Sequence, residues 1–150
     1  SFYDWAPAPL DSNGNPQPSA ARGLANAPVD TAAQRDPEFQ ALICKKIQDA
    51  VDISDVFNKV AIHAGKTSPA TLVFAAHRIA RYCRLRRQDT GPTKRAARWN
   101  ALLGEIQKGL SALDPQALTD CVWSLAVLQD RQPRLLAAVC HQAFARVEEF

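Results

Sequence analysis

From Asp36 to Phe150 the apolar residues recur three and four apart, and no segment alternates with a period of two. That pattern predicts helices throughout and no strands. Asp36-Pro37 supplies an N-cap followed by proline at the first helical position, where the missing N–H is one the helix would not bond anyway. The helix it opens carries Phe39, Leu42, Ile43 and Ile47 on one face. After a break near Val51-Asp52, a second helix turns Val56, Phe57 and Val60 inward and ends near Gly65. Ser68-Pro69 opens a third, running to about Arg86. A loop from Gln88 to Pro92 leads to a fourth, roughly Thr93 to Ala112, with Trp99, Leu102, Leu103, Ile106 and Leu110 on one face. Asp114-Pro115 opens a fifth, to about Leu128, and Gln132-Pro133 a sixth, to about Glu149. The reading is all-α: six helices in three consecutive hairpins.

Part of this pattern occurs twice. The stretch Ser68 to Arg81 is echoed by Asp114 to Val127 at a constant offset of 46 residues. Pro69 then pairs with Pro115, Leu72 with Leu118, Ile79 with Leu125, Ala80 with Ala126 and His77 with Trp123. Each copy is followed by a second helical stretch. A repeat of two helices cannot bury its apolar face alone and is covered by a neighbour, so the expected architecture is a short α-solenoid of three hairpins. On a helical wheel Leu72, Ala76, Ile79 and Cys83 share one face of the third helix, with Arg78, Arg81 and Arg84 opposite. Trp123 reads as a packing residue between adjacent repeats, with base stacking as its other possible role.

Residues 1–36 differ in kind. Five of the ten prolines fall here, Asn13-Gly14-Asn15-Pro16 is turn chemistry, and apolar periodicity is missing. Such a segment cannot offset the entropy of its own ordering. It is expected to be an extended tail, ordered by a partner, with residues 37–150 forming the helical domain. Phe2, Tyr3 and Trp5 are its candidate anchors, against neighbouring proteins or against its own domain.

The formal net charge is only +3, but it is unevenly spread. Arg78, Arg81, Arg84, Arg86, Arg87, Lys94, Arg95 and Arg98 lie within one 21-residue window whose only acid is Asp89. Seven of these eight cations are arginine, whose planar guanidinium binds phosphate oxygens in pairs and stacks on bases. An RNA backbone fits the cluster; an acidic protein or a merely solvated face would also accept it.

The stretch Asp114 to Leu128 resembles the first helix of an octotricopeptide repeat. It is also similar to the helical repeats that precede the RAP domain in organellar RNA-processing proteins. Trp123, Leu125, Ala126 and Leu128 match the Trp-x-Leu-Ala-x-Leu pattern of that helix. Val56 to Val60, with Leu72 to Ala80, is similar to a unit that opens such arrays, though His77 stands where the tryptophan would be. The resemblance implies RNA as partner, a mitochondrion or a plastid as location, and binding rather than catalysis.

Other chemistry finds little material. Cys44, Cys83, Cys121 and Cys140 form no CxxC pair and match no common zinc spacing. They read as small helical hydrophobes in a reducing compartment, the alternatives being a disulfide or a metal site. His63, His77 and His141 sit in no nucleophile or metalloprotease motif, and no phosphate-binding glycine loop is present. No apolar run reaches membrane-spanning length, and the first residues show no secretion signal. The expectation is therefore a non-catalytic structural subunit of an organellar ribonucleoprotein, foremost a mitochondrial ribosome, without cofactor or metal. Its eight basic residues would hold rRNA phosphates. The alternative is a protein-binding accessory subunit of a respiratory or photosynthetic membrane complex.

Overall fold

The computed structural model describes Leu24, residues 27–87 and residues 89–150. Among these residues there are eight α-helices and no strand: α1 (Thr31–Arg35), α2 (Pro37–Gln48), α3 (Ile53–Ile62), α4 (Pro69–Leu85), α5 (Gly91–Arg95), α6 (Ala97–Lys108), α7 (Pro115–Leu128) and α8 (Pro133–Ala145). Short 3-10 turns cover Leu110–Ala112 and Val147–Glu149.

The helix starts follow from local chemistry. The Asp36 carboxylate accepts hydrogen bonds from the Glu38 and Phe39 N–H groups, and Asp52 accepts from Asp55 N–H at 2.8 Å. Ser68 Oγ accepts from Thr71 N–H, and Asp114 accepts from Ala117 N–H at 2.8 Å. Each satisfies a donor that the first helical turn leaves over. Pro37, Pro69, Pro115 and Pro133 each stand at the start of the helix they open.

Helix α4 is the centre of the molecule. It packs against α2, α3 and α6, and most extensively against α7. Ile79, Ala75 and Ala80 are wholly buried, and Leu72, Val73, Ala76 and Cys83 nearly so. Burial thus reaches well around the helix, beyond the single stripe the wheel suggested. Trp99, Leu102, Leu103, Ile106 and Leu110 are all buried, as expected of the fourth predicted helix. Leu42 is not: it is 51% exposed, with no described element over the edge of the stripe where it lies.

The fourth predicted helix is broken in two. Ala96 adopts an extended conformation (φ −67°, ψ 137°), which separates α5 from α6, and Gly109 ends α6 before the 3-10 turn. The turn at Gly91–Arg95 also starts inside the stretch expected to be a loop.

A second correction concerns the end of the expected tail. Thr31–Arg35 is a helix, and it is bonded to the helical body. Asp30 caps α1, the Asp30 N–H donates to Gly65 O at 2.9 Å, and Gln34 Nε2 donates to the same oxygen at 3.0 Å. Gln40 bridges onward: Nε2 donates to Ala33 O and Lys66 O, and Oε1 accepts from Ser68 N–H. Leu24 is buried in the core. Gly65 has φ +79°, and a Cβ on it would stand 2.0 Å from Pro28 O, so the close approach requires glycine. The anchors Phe2, Tyr3 and Trp5 lie outside the described residues.

Candidate nucleic-acid interface

The two copies of the sequence repeat are α4 and α7, and they pack side by side. Their equivalent residues meet: the His77 and Trp123 rings lie 4.7 Å apart between centroids, tilted by 37°. The offset of 46 residues had paired them, but not as a contact. Both are only partly buried. The Arg84 guanidinium stands 5.8 Å from the Trp123 ring centroid, within cation–π range. Beside the pair, between α2 and α4, is a cleft of about 130 Å³ lined by Gln48, Phe74, His77, Arg78 and Arg81. Aromatic rings and arginines thus lie together here.

The eight basic residues do not act alike. Arg81, Arg84, Arg86, Arg87 and Arg95 are exposed. Arg86 rests over the Tyr82 ring at 5.3 Å, and Arg87 sits in a turn with φ 48°. Arg95 folds back so that its guanidinium would touch a Cβ on Gly91 at 2.9 Å. The other three are engaged by the fold. Arg78 donates to Gln48 O at 3.1 Å and to the Tyr82 hydroxyl at 3.4 Å, while Tyr82 Oη donates to Ala50 O. That arrangement fastens the α2–α3 turn onto α4, and the wheel's exposed position for Arg78 is corrected to a partly buried one. Arg98 donates to Asn58 Oδ1 at 3.0 Å and to Ser54 Oγ, and lies over Phe57. Lys94 Nζ donates to Gln129 O, the C-cap of α7, at 3.4 Å.

The histidine of the ring pair is harder to protonate than a free imidazole. Burial is the main reason its pKa falls below 6.5; Arg81 adds to the drop, and Asp120 opposes it. A neutral imidazole stacks on indole without the desolvation cost of a cation.

The described cysteines form no disulfide. Cys83 and Cys121 are buried, Cys44 partly so, and Cys140 is exposed. Burial pushes the Cys121 thiol up to about 11. No cluster of three or more metal-ligating side chains occurs among the described residues. No described helix is long and apolar enough to cross a membrane. Compared with family models, curated proteins and solved structures, the chain shows no significant match.

Proposed function

We propose that this chain is a non-catalytic helical-repeat protein that holds RNA by its phosphates, as a structural subunit of an organellar ribonucleoprotein, foremost a mitochondrial ribosome. The observation that carries the RNA reading is the surface formed by α4, its C-terminal turn and α7. There Arg81, Arg84, Arg86 and Arg87 are exposed beside the partly buried His77–Trp123 pair. Exposed guanidiniums supply bidentate phosphate contacts, and aromatic faces beside them tolerate any base.

The solenoid part rests on the packing order. Helix α4 lies between α2 and α7, α3 is joined to α6 through Arg98, and α6 packs on α8. Successive hairpins α2–α3, α4–α6 and α7–α8 therefore each touch the next. The organelle and the particle rest on the octotricopeptide resemblance of the α7 sequence.

Charge reversal at Arg84, Arg86 and Arg87 tests the reading. Anisotropy titrations with several unrelated RNAs should show binding weakened about equally for all, because phosphate contacts carry no sequence information. Loss confined to one sequence, or undiminished binding, refutes it. Sedimentation of the native protein with a ribosomal particle tests the assembly.

A further inference from the structure

A groove of about 640 Å³ opens on the other side of α7, toward the start of α8. Its floor is apolar: Val122, Leu125, Ala126 and Leu136 line it. Val122 and Ala126 are exposed there, with no described element over them. Lys94 and Arg131 also line the groove. The one acid in the lining, Asp130, is held by the wall: its Oδ2 accepts from Trp99 Nε1 at 2.8 Å and from Gln132 Nε2 at 3.0 Å. The groove therefore suits an apolar segment that carries negative charge.

The chain owns such a segment. Phe144 is 86% exposed, Val147 67% and Phe150 56%, the largest apolar side chains left in solvent at the far end of α8. Glu148 and Glu149 lie among them. The segment is also held in shape. Arg146 donates from Nη1 to Leu113 O at 2.6 Å and pairs with Glu149 at 3.7 Å. A fixed turn loses little freedom on binding. Glu148 remains for the cations of the groove.

We infer that the groove between α7 and α8 receives the Phe144–Phe150 segment of a second copy of this chain. Phe144 and Val147 lie on Val122 and Ala126, and Glu148 meets Arg131. This segment cannot reach the groove of its own molecule. Leu136, in the groove, stands at the start of α8, and Phe144 follows eight residues later on the same rigid helix, about 12 Å along its axis. The contact is thus heterologous, head to tail, and each bound copy offers a new groove. This inference stands apart from RNA binding and is tested without RNA.

Sedimentation velocity of the RNA-free 150-residue chain should show mass rising with concentration through open oligomers. Val122→Glu with Ala126→Glu blocks the groove; Phe144→Ser with Val147→Ser blocks the segment. Each double variant alone should be monomeric, with association weakened about tenfold or more. Mixed, they should form a dimer and nothing larger, since one groove and one segment survive between them. Arg131→Glu and Glu148→Arg lie at exposed positions and leave the core untouched. Each should weaken association, and the mixture of the two should regain part of it. A chain that is monomeric at every concentration overturns the inference. So do oligomers indifferent to these changes, or a mixture of blocked variants that forms no dimer. An Arg131→Glu variant that keeps its self-association but loses RNA affinity would give the groove to RNA instead.

Discussion

Trp99 offers the sharpest test of what holds the helices together. It is the largest side chain in the core and is wholly buried. Its Nε1 donates to Asp130 Oδ2 at 2.8 Å, which ties α6 to the turn between α7 and α8. A tryptophan removes roughly 150–250 Å² from water. At about 25 cal/mol per Å² that is about 4–6 kcal/mol. Alanine keeps part of it and the site partly collapses, which leaves a cost of roughly 3–5 kcal/mol for Trp99→Ala. A domain of ordinary stability has about 5–15 kcal/mol in total. At about 2–4 °C per kcal/mol for a chain of this size, a 4 kcal/mol loss lowers Tm by roughly 8–16 °C. Trp99→Phe separates the terms. Phenylalanine retains most of the packing but leaves Asp130 with only the Gln132 donor, at a cost of about 1–3 kcal/mol. Thermal unfolding followed by circular dichroism measures both. The alanine variant should melt well below the phenylalanine variant, and both below the parent. Equal melting of the two variants would place the whole effect in the hydrogen bond, and an unchanged alanine variant would refute the burial argument.

Other expectations follow from the same geometry. Arg78→Ala should lower the urea midpoint, because Gln48 O loses its donor and the α2–α3 turn loses its fastening, whereas Arg81→Ala should leave that midpoint within error; equal behaviour would return Arg78 to the exposed set. Stability should also fall on acidification. The folded pKa values of His77 and His63 lie below the ordinary 6.5, so the unfolded chain binds protons first. The contribution is complete above about pH 6.5 and is lost as pH drops through the folded values. His63, lowered by burial and then by Lys46, Lys66 and Lys59, adds in the same direction. Urea titrations in this window should show the loss, and His77→Gln should reduce it; an undiminished loss would assign the effect to other groups.

The sequence displayed the helix starts because each is chemistry within three residues. Asp36, Ser68 and Asp114 each precede a proline and each caps the helix that follows. The break at Ala96 was hidden, since alanine suits a helix and only the packing of α5 and α6 imposes an extended residue there. The segment before Asp36 was misread for a related reason. Apolar periodicity registers burial, but residues 27–36 are held through the side-chain amides of Gln34 and Gln40 and the carbonyls of Gly65 and Lys66. Such polar docking leaves no mark on a hydrophobic pattern. The candidate site divides in the same way. A wheel places Arg78 on the outer face of α4, but its partner Gln48 lies 30 residues away, and Arg98 reaches Asn58, 40 residues away. His77 and Trp123 were visible as equivalent positions of a repeat. Their contact needed the knowledge that the two copies are neighbours.

The division of the cations also changes what the basic window can do. Arg78 and Lys94 end on carbonyl and hydroxyl oxygens, all of them neutral, and Arg98 is held by Asn58 and Ser54. Neutral partners occupy the donors but cancel no charge. Arg78 and Lys94 thus still add to the positive field that brings a polyanion close. Close contact is another matter, because a donor already bonded within the fold gains little by exchanging that oxygen for a phosphate. Five cations remain for direct neutralisation: Arg81, Arg84, Arg86, Arg87 and Arg95. At about 0.7–0.9 counterions per phosphate, log K against log salt should have a slope of roughly −3.5 to −4.5. All eight together would give roughly −5.6 to −7.2. A salt titration with a homopolymeric RNA distinguishes the two ranges. A slope in the steeper range would mean that the engaged side chains let go of their carbonyls on binding, and Arg78→Ala would then weaken RNA binding as much as Arg84→Ala.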